Sequence, residues 1–172
     1  MMKKKMRLAL IAIALMLTLI VGPGTRSSVR AGEESDPQLE GSWVEDITVV
    51  SGFNAGTSLK SLSTYAKGGG ETALPVPVTP PLTSSPSHGT WIHKRGHKFA
   101  DTILSFVYDP TGQLIATVKI HRVLTISEGG DEYNGNASLD TFDPFGNLIP
   151  GFSACSTIHG RRINVEPPSG CP

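Results

Sequence analysis

Three histidines, His88, His93 and His97, fall within ten residues, with His121 and His159 further along. Imidazoles gathered in this way can hold Zn²⁺. The spacing argues against it: His93-Lys94-Arg95-Gly96-His97 sets two imidazoles across a tight turn beside two cations, with no acid or cysteine adjacent. We therefore expect surface histidines on a hairpin and no metal site. Serine-based hydrolysis needs an activated serine on a strained turn, and no G-x-S-x-G occurs. Gly68-Gly69-Gly70 is followed by neither a helical pattern nor Lys-Ser/Thr, so it is not a phosphate loop. Asn136-Ala137-Ser138 fits a glycosylation acceptor, which has meaning only in a eukaryotic secretory host. An isomerase or cyclase would have to use Glu45, Tyr108, Tyr133 and a histidine, and no spacing commits them. The expectation is a protein that is not an enzyme, with no catalytic residues and no cofactor.

The elements that would position such residues are strands. Between Gly41 and Glu166 no stretch keeps a 3.6-residue apolar period for three turns, while short β-branched and aromatic runs recur between Gly, Pro, Asn and Asp clusters. Strands are predicted near 42–50, 58–66, 70–76, 88–95, 98–108, 113–126, 132–142, 148–158 and 160–166. The segments Asp109-Pro-Thr-Gly112-Gln-Leu-Ile115 and Asp143-Pro-Phe-Gly146-Asn-Leu-Ile149 repeat a D-P-x-G-x-L-I turn 34 residues apart. In each, Asp caps the turn, Pro presets φ and Gly supplies positive φ. Glu128-Gly129-Gly130-Asp131 turns the chain at the opposite end, so it runs up and down. The fold class is all-β, a single antiparallel up-and-down β-barrel of about eight strands.

Alternation orients the side chains. On 113–126, Leu114, Ala116, Val118, Ile120, Leu124 and Ile126 share the core face, and Thr117, Lys119 and His121 share the other. On the first strand Trp43, Ile47 and Val49 share a face with Glu45. A carboxylate there pairs with an inward Arg161 or Arg162, points into a polar lumen, or is sent to solvent by a bulge or an early strand end; the last is the preferred reading. Small residues (Ser61, Ser63, Thr64, Thr102, Ala116, Ala137, Ser138, Ser153, Ala154) and an aromatic content of 6% leave room for one small ligand, unless the small residues face solvent and the barrel is filled. The lumen candidates are Trp43, Glu45, Trp91, Phe106, Tyr108 and Tyr133. The Leu74–Ser87 segment holds five of the thirteen prolines and must run as an extended surface loop, either a lid over a barrel mouth or a plain excursion.

The first 31 residues read as a signal peptide. Lys3, Lys4, Lys5 and Arg7 precede a 14-residue apolar stretch, Leu8 to Val21, too short to span a bilayer, and Val29-Arg30-Ala31 offers a cleavage site after Ala31. We expect a secreted or periplasmic protein without a membrane span after cleavage. Residues 32–40 are expected to form a disordered linker, 41–166 the barrel and 167–172 a tail. The whole chain is formally neutral, yet six of its fifteen basic residues and none of its fifteen acids lie in the leader. The mature chain carries −6 and no basic patch, which excludes nucleic acid as a partner by the usual electrostatic route. Cys155 and Cys171 are both in the exported part, and a bridge between them would staple the tail.

Gly41-Ser42-Trp43 on the first strand and Arg161/Arg162 on the last resemble the first and last signatures of lipocalins. The order of Lys67-Gly-Gly-Gly-Glu71, Ser87-His-Gly89-Thr-Trp91, Gly96-x-x-Phe99, Phe106-x-Tyr108, Asp143-x-x-Gly146 and Gly160-Arg-Arg-Ile163 is similar to a group of secreted bacterial lipocalin-like (calycin-type) barrels of unassigned function. The resemblance implies that Gly41, Trp43 and Arg162 lock the closed end, the arginine packing across the tryptophan. It also implies a lumen for a small apolar or amphipathic molecule. The middle T-D-Y signature of lipocalins, and the helix beside their barrel, have no counterpart. A ligand-free extracellular structural or interaction module is the alternative.

Overall fold

Runs of alternating β-branched residues become strands wherever Gly, Pro and Asp supply the turns between them. The computed structural model describes residues 38–167 and 169–170, and no helix occurs among them. The strands are β1 (Gly41–Gly52), β2 (Ser58–Tyr65), β3 (Gly70–Ala73), β4 (Thr83–Ser84), β5 (Ser87–Arg95), β6 (Lys98–Tyr108), β7 (Leu114–Ile126), β8 (Glu132–Phe142) and β9 (Ala154–Arg162). Every pairing is antiparallel. Eight of the strands close a barrel in the order β1-β2-β3-β5-β6-β7-β8-β9, with β9 returning to β1 through Trp43↔Arg162 and Ile47↔Ile158. β4 continues the line of β5 along β6, at Thr83↔Tyr108. Closure leaves the barrel wall with no free sheet edge.

The two D-P-x-G turns form as their residues dictate. Asp109 Oδ1 accepts from the backbone N–H groups of Thr111 and Gln113, and Asp143 Oδ1 from those of Phe145 and Asn147. The Thr111 hydroxyl also donates to Asp109 and the Asn147 amide to Asp143, and these side-chain bonds first, with the backbone contacts second, lower both carboxyl pKa values. Gly112 and Gly146 take φ of 84° and 88°, which a side chain would resist. After the second turn, Pro150 and Gly151 (φ 83°) delay the return strand. The two runs expected at 148–158 and 160–166 are therefore one strand, β9, and Leu148 keeps only an isolated bridge to Phe142. The run expected at 70–76 stops at Ala73, two residues before Pro75 removes a donor.

One barrel end is sealed by packing. Trp43 is fully buried, donates from Nε1 to the Leu39 carbonyl at 2.9 Å, and lies 4.8 Å from the Tyr133 ring. The Arg162 guanidinium sits 4.3 Å from the centre of the Trp43 ring. It donates to the carbonyls of Gly130 (2.9 Å), Glu40 and Gln38 (2.6 Å). Burial lowers its pKa, against the opposing charge of Asp131. Leu39 is a core residue, although the sequence places it in a disordered linker. Arg161 points outward to Asp46. Trp91 is half-buried at this end, edge-on to Tyr65 and Phe99, with Nε1 donating to the Ala66 carbonyl.

The other end carries the D-P turns and the proline-rich segment 74–86. Val76, Val78 and Leu82 pack on Val107, Ala116 and Val118, the inward residues of β6 and β7 at that end. Serines moor the segment: Ser84 Oγ donates to the Val76 carbonyl, Ser87 Oγ to Leu74 and Ser105 Oγ to Ser85. It is a strap across the mouth.

Trp43→Ala should lower the unfolding free energy by about 3–5 kcal/mol, the cost of truncating a buried aromatic. Arg162→Ala should be clearly destabilising and Arg161→Ala close to neutral, because only Arg162 covers the plug. Urea unfolding of the three variants checks this order; equal effects of the two arginines would contradict the seal.

Candidate functional site

Four strands each carry one charged side chain on the inward face. Glu45 (β1), Glu71 (β3), Asp101 (β6) and Arg122 (β7) are the buried charged residues among those described, with side chains 0–3% exposed. Their cross-strand neighbours are mostly small. Glu45 faces Ser61 and Gly160, Glu71 faces Gly89 on one side, and Arg122 faces Ala137. At Gly160 a Cβ would fall 2.3 Å from the Tyr133 ring, so glycine lets that ring lie across β9. Small neighbours give the long polar side chains space to meet at the barrel axis.

The guanidinium of Arg122 distributes its donors among all three acids. Nε donates to Asp101 Oδ1 at 2.7 Å, Nη1 to Glu45 Oε1 at 3.1 Å, and Nη2 to Glu71 Oε1. Two phenols complete the network: Tyr133 donates to Glu45 Oε1, and the Tyr65 hydroxyl lies 3.3 Å from Asp101 Oδ2. The Arg122 guanidinium also lies 5.8 Å from the centre of the Tyr65 ring. Among the described residues, two buried side-chain oxygens have no hydrogen-bond partner, Glu71 Oε2 and Ser63 Oγ.

Three acids around one cation, away from water, cannot all be charged cheaply. Burial, reinforced by the charge of Glu45, pushes the Asp101 carboxyl up to about 8, against the opposing hydrogen bond of Tyr65. Asp101 therefore keeps its proton at neutral pH. Burial first, and the neighbouring acids second, raise Tyr65 and Tyr133 above the ordinary phenol range, so both stay neutral. The centre offers a neutral acid, two phenols, a guanidinium and the buried, unpartnered Glu71 Oε2.

Glu45 thus does not reach solvent, as the preferred sequence reading had it, and its partner is neither Arg161 nor Arg162. Alternation holds through β1 to Val49, and the bulge falls later, between Val49 and Ser51. Tyr133 and Trp43 are inward. Phe106 is 43% exposed on the outer wall, since the inward residues of β6 are Phe99, Asp101, Ile103, Ser105 and Val107. Tyr108 sits past a bulge, half-buried and paired with Thr83, so it too lies away from the centre. Cys155 is exposed on β9, and Cys171 lies outside the described residues, as do the expected leader and its cleavage site. His93 bonds the Gly96 carbonyl, His97 the Ile126 carbonyl, His121 the Thr102 hydroxyl and His159 the Asn134 side chain.

Sequence reasoning passed over Arg122, Asp101 and Glu71, though a signal existed. Arg122 has the same parity as Ala116, Val118, Ile120, Leu124 and Ile126, and Asp101 the same parity as Phe99 and Ile103. A cation and an acid on the apolar faces of adjoining strands are a pair.

Two predictions follow from the charge count. The raised carboxyl binds its proton more tightly in the folded than in the unfolded state. Its stabilisation is therefore complete below about pH 4, the unfolded carboxyl pKa, and is lost as pH rises toward 8, by up to about 1.4 kcal/mol per unit. Asp101→Asn keeps the shape of the neutral acid and should flatten this slope in melting temperatures taken from pH 5 to 8. Arg122→Met leaves the acids without their shared cation and should cost about 3–5 kcal/mol in urea unfolding; a loss below 1 kcal/mol would mean that the acids do not depend on it.

The closed antiparallel eight-strand barrel is consistent with the calycin-type architecture that the sequence resembles. Compared with known proteins, the chain matches no family model, no curated protein and no solved structure.

Proposed function

We propose that this chain is an exported binding protein, freed of its leader near Ala31, whose barrel takes one small amphipathic molecule in the lumen. The observation that carries the reading is the pair of buried, unpartnered oxygens, Glu71 Oε2 and Ser63 Oγ. A buried acceptor without a partner costs about 1–3 kcal/mol, and a bound donor recovers that cost. The apolar layer of Val107, Ala116 and Val118 under the strap suits the other end of such a molecule. The sealed end around Trp43 and Arg162 leaves the strap side as the way in. We read the centre as a binding site rather than a catalytic one, because Glu45 Oε1, Glu71 Oε1 and both oxygens of Asp101 are already held by Arg122, Tyr65 or Tyr133.

A second reading has an observation of its own. The outer wall of β6–β9 holds a groove of about 460 Å³ lined by Lys98, Val123, Thr125, Asn134, Asn136 and Thr157. Hydrogen-bonding side chains around an apolar floor suit a polysaccharide or protein surface, and a filled barrel would then be a rigid support.

Native mass spectrometry of the exported chain, taken without refolding, separates the two. A lumen that binds should give an extra mass of a few hundred daltons or less that disappears on denaturation. Absence of that mass, together with unchanged tryptophan fluorescence on adding amphiphiles, would favour the outer-wall reading.

A further inference from the structure

The lumen centre has more negative than positive groups. Glu45, Glu71 and Asp101 surround one guanidinium, and the only other side chains bonded to them are the two phenols. Three acids thus share one guanidinium in a region from which water is excluded. The acids outnumber the cation, so the centre tends to a surplus of negative charge. Such a surplus is costly unless a further proton or a cation meets it.

The geometry shows where a cation would be received. Ser63 and Glu71 face inward from adjacent strands, β2 and β3, whose register pairs Ser63 with Ala73 and Tyr65 with Glu71. The two residues are diagonal neighbours on one face, a separation that side chains can bridge. Each ends in an oxygen with no donor. Toward the strap, the next inward positions are Ser61 and Ala73, both small, and beyond them lies the apolar layer that Val76, Val78 and Leu82 cover. A compact donor with a tail would therefore find acceptors at the centre and apolar contact toward the mouth.

We infer that the lumen selects a ligand whose polar end is an ammonium group, bonded to Glu71 Oε2 and Ser63 Oγ, with an apolar tail running under the strap. An ammonium supplies both the N–H donors that the two oxygens lack and the charge that the centre lacks. A carboxylate head would meet acids on three sides, and an alcohol would supply the donor without the charge. This inference rests on the lumen-binding reading and fixes the ligand class within it.

The test is calorimetric titration at pH 7 of the chain, purified without refolding, with decylammonium, decanol and decanoate below their aggregation concentrations. The tails match and only the head differs. Decylammonium should bind one to one and at least about ten-fold tighter than decanol, a difference of about 1.4 kcal/mol, with decanoate weakest. Glu71→Gln should remove most of the preference for ammonium while leaving decanol within a few-fold. Ser63→Ala, which breaks no hydrogen bond within the protein, should weaken decylammonium several-fold and carries the test if Glu71→Gln fails to fold.

Binding of none of the three amphiphiles would overturn the lumen-binding reading itself. Equal affinity for decanol and decylammonium, or tighter binding of decanoate, would overturn the ammonium inference and leave that reading standing. So would several ammonium ions per chain with no response to Ser63→Ala, the signature of attraction to an acidic exterior.

Discussion

The guanidinium of Arg122, donating to three acids from three other strands, is the contact on which the interior depends. A barrel of this size fills its axis with side chains or with a ligand, and a residue long enough to reach the axis from β7 must satisfy its charge there. Arg122 does so by bonding Asp101, its cross-strand neighbour on β6, and by drawing in Glu45 and Glu71, which joins β7 to β1 and β3 across the lumen. Hydrogen bonds of the sheet fix each strand only to its neighbours; through Glu45 and Glu71 this cluster also fixes β7 to strands with which it never pairs.

Burial gives the cluster its second property. Because the acids outnumber the cation, the network holds together by retaining a proton on Asp101 and by keeping both tyrosines neutral. A buried ion cluster of this kind adds little net stability compared with an apolar filling of the same shape. Apolar packing therefore does the stabilising at the two ends, through Trp43, Leu39, Phe99 and Leu124 at one and Val107, Ala116 and Val118 at the other. The polar layer between them gives the lumen its chemical character.

How legible this was follows from the kind of signal each part left. The hairpin turns were readable because D-P-x-G states its own backbone geometry, and the strands on either side followed. Trp43 and Arg162 were readable because glycine, tryptophan and arginine stood in a familiar order. The alternation on β7 was read correctly for its apolar members, but Arg122 went unweighed because charge alone suggested solvent. Only the closure of the barrel brings Asp101, Glu71 and Glu45 to the same point, since their strands lie far apart along the chain. Phe106 misled for the opposite reason: an aromatic residue was taken as inward against the parity of its strand.

Arg162 does more than cover Trp43. By holding the carbonyls of Gln38 and Glu40, it ties the chain leading into β1 to the end of β9, from which the chain also leaves. Both ends of the barrel domain thus emerge beside the sealed plug, and the strapped mouth points the opposite way. Anything tethered just before β1 or just after β9, whether a purification tag or a surface anchor, would sit at the plug and leave the strapped mouth facing away from it.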